Sequence, residues 1–343
     1  MASKTFAAAL AIVASAAAVS PSRADEPVAL RIGWVQVGHV TPMYDILVKS
    51  HPELFPHYAK SYTFTGVRFN GTTPEIQALA VNELEIASMA SSSMTLGVTN
   101  AKLDLRMVSD LIQDGRPGSY DEPFVVRKDG PIETIEDIKG KRIATNAIGS
   151  ASDTSMRIML RKHGIADSDF TTIEANFANM FPMIEENKVD LIPALPQDLK
   201  RIADTGRYRT LFTAGDARGP AETVAWAMRA SFIAQHRAAM VDFFEDHLRA
   251  LRWFLDPKHH ADAVAIAAAV TKQKPEELQY FFTHDDFYRD PDGVPDLKAA
   301  QKEIDDSVKL GILKEGIELN PTYVDLSLIK EAKARLDGAS GGG

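Results

Sequence analysis

The amino-acid sequence predicts an α/β protein with an open, largely parallel sheet and helices on both of its faces. Two observations carry that prediction. Strand-like alternation and helix-like periodicity trade places along most of the 343 residues, the pattern of consecutive βα units. Within it, residues 131–164, PIETIEDIKGKRIATNAIGSASDTSMRIMLRKHG, set a short strand (142–145), a small-residue loop and a helix in direct succession.

The elements follow in order. Lys4, an Ala-rich apolar run at 6–19 and Ser22-Arg23-Ala24 read as a secretory signal peptide over 1–24. The run is shorter than the ~20 residues that span a bilayer, and no later stretch is long and apolar enough. The mature chain is therefore expected to be periplasmic and not membrane-inserted. VALRIGWVQV (28–37) alternates, with Leu30, Ile32 and Trp34 on one face, and ends in a loop that opens a helix through Met43, Ile46 and Leu47. A strand covers 63–69. Thr73 then caps a helix with Pro74 in its favoured first position and Ile76, Leu79 and Ala80 facing inward. Strands follow at 84–90, running into Ser91-Ser92-Ser93, and at 105–111, closed by the turn-rich DGRPGSYDEP (114–123). PFVVRKDG starts a new region. After the 131–164 unit come a strand at 171–174, a helix past Pro182, a strand at 189–192 and a returning strand at 223–228. A helix then carries Phe244, Leu248, Leu251 and Leu255 at helical spacing, a core stripe. The rest reads as mostly helical, with a flexible tail at 338–343.

Composition narrows the function. The chain has no cysteine, which excludes a disulfide scaffold, a thiolate metal site and a lipidated cysteine. Without 1–24 it carries 36 basic against 47 acidic residues, a net charge of −11. That balance opposes a nucleic-acid partner, which needs clustered basic charge. It leaves room for a local positive pocket. No G-x-S-x-G, P-loop or H-E-x-x-H occurs. His259-His260 lacks metal-binding partners, and Asp290-Pro291-Asp292-Gly293 lacks the alternating ligands of a calcium loop. Neither a metal nor a cofactor is expected.

The 131–164 unit points to an anion. Strand, Gly/Ser loop and helix start aim free backbone N–H groups and a positive dipole end at one spot. Ser152 or Asp153 can cap the helix, and Gly149 lets a ligand approach the backbone. A plain strand-to-helix turn is the alternative.

Three stretches carry a family resemblance. IQALAVNELEIASM (76–89) is similar to a helix–turn–strand A-L-x-x-G-x-x-D-x, with Asn82 for the usual Gly and Glu85 for the usual Asp. FVVRKDGPIETIEDIKGKRIA (124–144) matches V-x-K-D-x-x-I-x-x-x-x-D-L-K-G-K-x-I-A closely. IEENKVDLIPAL (184–195) resembles a helix–turn–strand with V-D-A. Together they resemble the sulfonate/nitrate/taurine class of ABC-transporter substrate-binding proteins, which have the type II periplasmic-binding-protein fold. The resemblance implies two doubly wound α/β lobes with mostly parallel sheets, joined by two crossovers around a cleft that closes by a hinge motion. Lobe 1 would be 25–115 and 222–343, and lobe 2 would be 116–221 including the hinge crossovers.

In such folds ligands lie where strands end and helices begin. That rule selects the loops 36–41, 90–93, 147–153 and 175–180, with the crossovers. Gln36 and His39 occupy the first; His39 is either a donor to an acidic ligand or a structurally bonded imidazole. Ser91 and Ser92 occupy the second, and Gly149, Ser150 and Ser152 the third. Asn176, with Phe177 and Asn179, offers an amide and an aromatic wall. Arg116 and Tyr120 lie in the first crossover, where an arginine can clamp a carboxylate or sulfonate. Glu222, at the second crossover, can accept from an amine, as for a zwitterionic solute such as taurine. The expected function is therefore binding, not catalysis. A monomer would capture a small anionic organic solute (sulfonate, taurine-like, nitrate-like or aromatic carboxylate) and deliver it to an ABC permease and its ATPase. Two alternatives stand beside it. Enzymes of thiamine-pyrimidine synthesis share the superfamily but act inside cells and use a cysteine-rich iron motif; a periplasmic sensor subunit would present the same ligand to a receptor.

Overall fold

In the computed structural model, which describes residues 26–340, ten strands and eleven α-helices form two α/β lobes around a cleft. The expected signal peptide at 1–24 lies outside the described residues. The strands are β1 (Val28–Trp34), β2 (Tyr62–Arg68), β3 (Ile86–Met89), β4 (Leu105–Asp114), β5 (Pro123–Arg127), β6 (Arg142–Thr145), β7 (Thr171–Glu174), β8 (Ile192–Pro193), β9 (Tyr208–Thr213) and β10 (Ala221–Arg229). The helices are α1 (Thr41–Ser50), α2 (Glu75–Ala80), α3 (Ser91–Thr99), α4 (Ala151–Lys162), α5 (Phe177–Glu185), α6 (Pro196–Thr205), α7 (Ala214–Arg218), α8 (Ala230–Leu255), α9 (His260–Thr271), α10 (Leu297–Lys309) and α11 (Ser327–Ser340).

Lobe 1 is the sheet β2-β1-β3-β10-β4 with its helices. Lobe 2 holds β8-β5-β9 and β6-β7, and a parallel bridge between Ile143 and Leu191 joins these into one run, β7-β6-β8-β5-β9. In each sheet four strands are parallel and one is reversed: β10 in lobe 1, β5 in lobe 2. The reversed strand is the one that arrives from the other lobe. β10 begins at Ala221 opposite Asp114, where β4 ends, and β5 begins at Pro123 opposite Thr213, where β9 ends. A chain crossing between lobes enters at the cleft edge, where the parallel strands finish, so it must run against them.

Side-chain size sets the two faces of β10. Val224, Trp226 and Met228 enter the larger core with Phe243, Phe244 and Leu248 of α8, while Ala225 and Ala227 face α3 and α10. Small residues there let those helices pack close. The expected stripe on α8 is buried at Phe244, Leu248 and Leu251 and half-buried at Leu255.

The two lobes share one device. Glu85 accepts from the backbone N–H of Arg31 at 2.8 Å and from its guanidinium, after a turn in which Asn82 takes φ 57°. In lobe 2, Asp190 accepts from the N–H of Arg142 at 2.9 Å and from its guanidinium, after a turn with Asn187 at φ 55°. Asparagine tolerates the left-handed region better than most residues, so the departure at Asn82 keeps the turn, and Glu85 pins the first strand as Asp190 does.

Two differences from the sequence reading stand out. The stretch between Ile192 and Thr223, assigned no element, holds α6, β9 and α7. The last helix runs to Ser340, into the stretch expected to be a tail from 338; residues 341–343 lie outside the described residues.

The crossovers are laced to each other. Gly215 N–H donates to Asp121 at 2.7 Å, and Ala214 N–H to the Glu122 carbonyl at 2.9 Å. Beneath them Arg218, almost wholly buried, pairs with Asp114 at 3.2 Å and with Glu303 of α10. Breaking a buried pair strands a charge and costs about 3–5 kcal/mol. Arg218→Leu is therefore expected to lose about that much in urea denaturation, and Arg218→Leu with Glu303→Leu less than Arg218→Leu alone.

Candidate functional site

The strand ends bring the lobes into direct contact. Thr72 N–H donates to Ser150 Oγ at 3.1 Å, and Asn146 Nδ2 to the Asn70 carbonyl at 3.1 Å. Ser92 Oγ donates to the Gly149 carbonyl at 3.1 Å and accepts from Thr154 Oγ1 at 2.9 Å. Gly71 sits at the closest approach: a Cβ there would fall 2.6 Å from Ala147 Cβ and 2.8 Å from Asn146 Nδ2.

The helix starts that the sequence marked for an anion are answered from within. Gly149 N–H donates to Asp153 at 2.8 Å, and Ile148 N–H to Glu174 at 2.7 Å. At the start of α3, the Glu303 carboxylate lies near the Ser92 N–H. The cap of α4 is Ser150, ahead of the expected Ser152 or Asp153. The unit at 131–164 gathers negative charge as its geometry predicts, but the charge is the protein's own.

Three cavities between the lobes are a shallow groove of about 740 Å³ lined by Thr73 and Ile76 of lobe 1 and Ile148 and Glu174 of lobe 2, an outer chamber of about 450 Å³ and a deep pocket of about 30 Å³; Val35, Gln36, Phe177 and Leu195 line both of the last two. The chamber has aromatic walls, Trp34 and Phe69 from lobe 1 and Phe177 and Phe181 from lobe 2. Its cations are Arg68 and Arg201. Arg201 is paired with Glu185 at 3.1 Å. Arg68 lies 5.4 Å from the Trp34 ring centroid and has no carboxylate partner among the described residues. Across from it the chamber meets the first residues of α5, where Asn176 accepts from Asn179 N–H at 3.2 Å and no acidic side chain sits in the first turn. Asp198 lies on the same wall, pushed up to about 6 by burial.

The deep pocket sets a few buried polar side chains into a mainly apolar surface. Ser152 Oγ donates to Glu122 Oε1 at 2.6 Å. Burial, with Asp114 nearby, pushes the Glu122 carboxyl up to about 8, so it is protonated at neutral pH. His39 forms another wall; burial drives it down to about 3, and its neutral ring accepts from Val35 N–H at 3.4 Å. The hydroxyls of Thr72 and Thr223 and the amide oxygen of Asn146 have no hydrogen-bond partner.

Of the residues singled out in the sequence, the chamber and the deep pocket collect Gln36, His39, Ser150, Ser152 and Asn176. Gly149 and Ser92 sit in the lobe contact instead. Ser91 is buried at the start of α3 with its hydroxyl unpartnered. Tyr120 donates to the Ala194 carbonyl and packs edge-on against Phe287 at 4.6 Å. Arg116 turns away from both cavities, 4.3 Å from the Tyr288 ring and 3.6 Å from Asp296. Glu222 is buried against Asp110 and accepts from Asp296 N–H at 2.7 Å. Its burial beside that second carboxyl holds it protonated, as donor to Asp110. Arg68, Glu122, Thr72, Asn146 and Thr223 escaped the sequence reading. The strand-end rule that found the other loops applies equally to the end of β2, where Arg68 and Thr72 lie. Glu122 is one residue from the new region's first proline, in a crossover already marked as hinge.

The profile of the family described as NMT1/THI5 like matches residues 68–260. No curated protein is similar enough in sequence to match the chain. Among solved structures the chain is similar to the alkanesulfonate-binding protein SsuA from Xanthomonas axonopodis pv. citri bound to MOPS. The TM-score is 0.66 at 19% identity, over 87% of this chain and 98% of that one. It is similar to the periplasmic nitrate-binding protein NrtA from Synechocystis PCC 6803, with TM-score 0.69 at 14% identity, over 92% and 91%. It is also similar to a mutant of DSZB in complex with biphenyl-2-sulfinic acid, with TM-score 0.60 at 12% identity, over 90% and 99%. At these identities the likeness is one of fold.

Two outcomes are expected. Gly71→Ala has no room in the lobe contact, so X-ray scattering should show a larger radius of gyration than for the unaltered protein; an equal radius would mean that this contact does not limit closure. The second concerns pH. Above about pH 6.5 the buried, neutral His39 and His247 still add a little stability until about pH 7.5, as their unfolded counterparts finish losing protons. Glu122 has the larger effect: it holds a proton in the folded chain that it releases on unfolding. Buried Glu75 and Glu222 act in the same sense. Stability should therefore fall as pH rises from 6.5 towards 8, by up to about 2 kcal/mol from Glu122 alone. Glu122→Gln should flatten that part of the thermal-midpoint profile.

Proposed function

The chain belongs to the NMT1/THI5-like family, and on that footing we propose that it is a periplasmic solute-binding protein, which captures a small anionic organic compound between its lobes and delivers it to an ABC importer. The observation that carries this reading is the outer chamber. Its size falls within the ~300–1,000 Å³ of small-molecule sites, both lobes line it, and its lining joins Arg68, a guanidinium without a carboxylate partner among the described residues, to the start of α5. A guanidinium and a helix N-terminus are two groups that favour a carboxylate or sulfonate. The four aromatic walls favour a solute with an aromatic or other apolar body.

Several facts support the setting. The names of two similar structures specify alkanesulfonate and nitrate as what those proteins bind. The first 24 residues read as a signal peptide, and no helix among the described residues is long and apolar enough to cross a membrane. The hand-over partners are a permease and its ATPase, and the protein acts as a monomer.

Mechanistically, lobe 1 offers Arg68 and Trp34 to the arriving solute, and closure adds the start of α5 and Phe177 from lobe 2. A ligand drives closure only as far as it binds the closed state better. Away from the buried Arg218 pairs at the hinge, the direct bonds between the strand-end loops of the two lobes are neutral ones, each worth about 1 kcal/mol net, so the solute's own contacts decide the balance.

Calorimetry with aromatic and alkyl sulfonates, nitrate and aromatic carboxylates tests the reading. Arg68→Ala is expected to weaken binding by about tenfold or more, about 1.4 kcal/mol, while Arg116→Ala leaves it within about twofold. No binding of any of these anions by the unaltered protein would sink the proposal.

A further inference from the structure

A side pocket of about 50 Å³ lies beside the chamber, where the loop after β1 meets the start of α6. The two cavities share Gln36, Gln197, Thr271 and Gln273 as walls. Three carboxamides thus reach one spot from three separate segments: the end of β1, the first turn of α6 and the residues after α9. Gln36 and Gln273 make no side-chain hydrogen bond to the described residues. Gln197 Oε1 accepts from the Tyr280 O–H at 3.3 Å, which leaves its NH₂ group as a donor. A Cβ on Gly38 would stand 3.4 Å from Gln36 Oε1, so the glycine gives that carboxamide room over the loop.

The charged residue in this lining is already matched. Asp286 Oδ2 accepts from Arg289 at 2.9 Å and from Phe282 N–H at 3.0 Å, and Oδ1 from Phe287 N–H at 2.8 Å. The Thr271 hydroxyl donates to the Ala267 carbonyl at 2.8 Å. What remains is a set of neutral carboxamides, able to donate and to accept. An ion placed among them would lose hydration without gaining a counter-charge, a cost that an uncharged group escapes. About 50 Å³ exceeds the ~10–15 Å³ that a single water needs, so a substituent of a few atoms has room.

The segment that brings Gln273 and Tyr280 here has an uncommon backbone shape. Lys272 and Phe282, at its ends, take φ 61° and 57°, the left-handed region that residues other than glycine seldom occupy. Phe282 is fixed there by its stack on Phe254, 4.7 Å between centroids, and by the Arg289 guanidinium 4.9 Å from its ring. Such strain persists only where surrounding contacts enforce it, and it gathers at ligand clamps.

From this geometry we infer that the side pocket is a hydroxyl subsite, in which Gln36, Gln197 and Gln273 recognise an uncharged hydroxyl group on the body of the solute and Tyr280 positions the Gln197 carboxamide. The inference rests on the chamber reading, in which Arg68 and the start of α5 hold the anionic end. A hydroxyl both donates and accepts, so it can bond a carboxamide of each lobe at once. It therefore favours the closed state as well as setting selectivity.

The probes are para- and meta-(hydroxymethyl)benzenesulfonate, the corresponding ethylbenzenesulfonates, and benzyl alcohol, all measured by calorimetry. At least one hydroxymethyl isomer is expected to bind about fivefold or more tightly than its ethyl counterpart, the effect of one net hydrogen bond. Gln197→Leu removes that preference. So does Gln273→Leu, at an exposed side chain away from the core. Tyr280→Phe keeps the ring stacked on Phe281 at 4.6 Å and lowers the ratio between the paired ligands, whereas a purely structural tyrosine would weaken both alike. Equal binding of the hydroxymethyl and ethyl compounds in both isomers overturns the subsite and leaves the anion reading standing. A preference that survives both Gln→Leu changes does the same. Benzyl alcohol binding that the sulfonate group does not improve, and that Gln197→Leu removes, upholds the subsite and overturns the anion reading. Binding of none of the probes overturns both.

Discussion

Arg218 is the group on which the hinge depends. It is a guanidinium with almost no exposure, placed between Asp114 at the end of β4 and Glu303 on α10. Those three residues tie together the last residue before the first crossover, the short helix of the second, and a helix of lobe 1. Glu303 also lies near the Ser92 N–H at the start of α3. One buried cation thus sets the positions of both crossovers and of a helix whose N-terminus borders the cleft. Burying carboxylates is costly without such a partner. The hinge keeps others close by, Asp110 with Glu222 and Glu122 with Ser152, by holding a proton in each.

The same pairing of charge explains where a solute can bind. A helix N-terminus attracts any nearby anion, and it does not distinguish a ligand from a side chain. Asp153 and Glu174 occupy the loop before α4, and Glu303 occupies the start of α3. Among the helices at the cleft, α5 begins with no acidic residue in its first turn and faces the chamber that Arg68 lines. The protein's own carboxylates thereby set where positive potential is left over.

The topology makes these arrangements possible. Because each lobe's reversed strand enters from the cleft side, every loop at the cleft follows the end of a parallel strand and most lead into a helix. Gly71, Thr72 and Ser150 then need only small side chains and backbone groups to bring the two sheets' loops together. The hydrogen bonds of this contact join neutral groups, which suits a joint that opens and closes.

By itself the sequence determined the α/β class and most of the strand and helix units, though not α6, β9 and α7, and its family resemblance implied the two lobes. Alternation, helical period and capping residues are local signals that survive without knowledge of neighbours. Arg142–Thr145 and Thr171–Glu174 appear at the residues their pattern indicated. It also placed Gln36, His39, Ser150, Ser152 and Asn176 at strand ends, and the fold brings these to the cavities. Only the tertiary structure decided which polar groups are already engaged. Arg116 was legible as an arginine in a turn, but Asp296 and Tyr288, far along the chain, claim it. Glu222 meets Asp110 across a strand pair, whereas Glu122 keeps an oxygen free in the deep pocket. Pairing of charges across the fold is a long-range property, set by burial and distance rather than by spacing in sequence, and here it separates the groups available to a solute from those that hold the protein together.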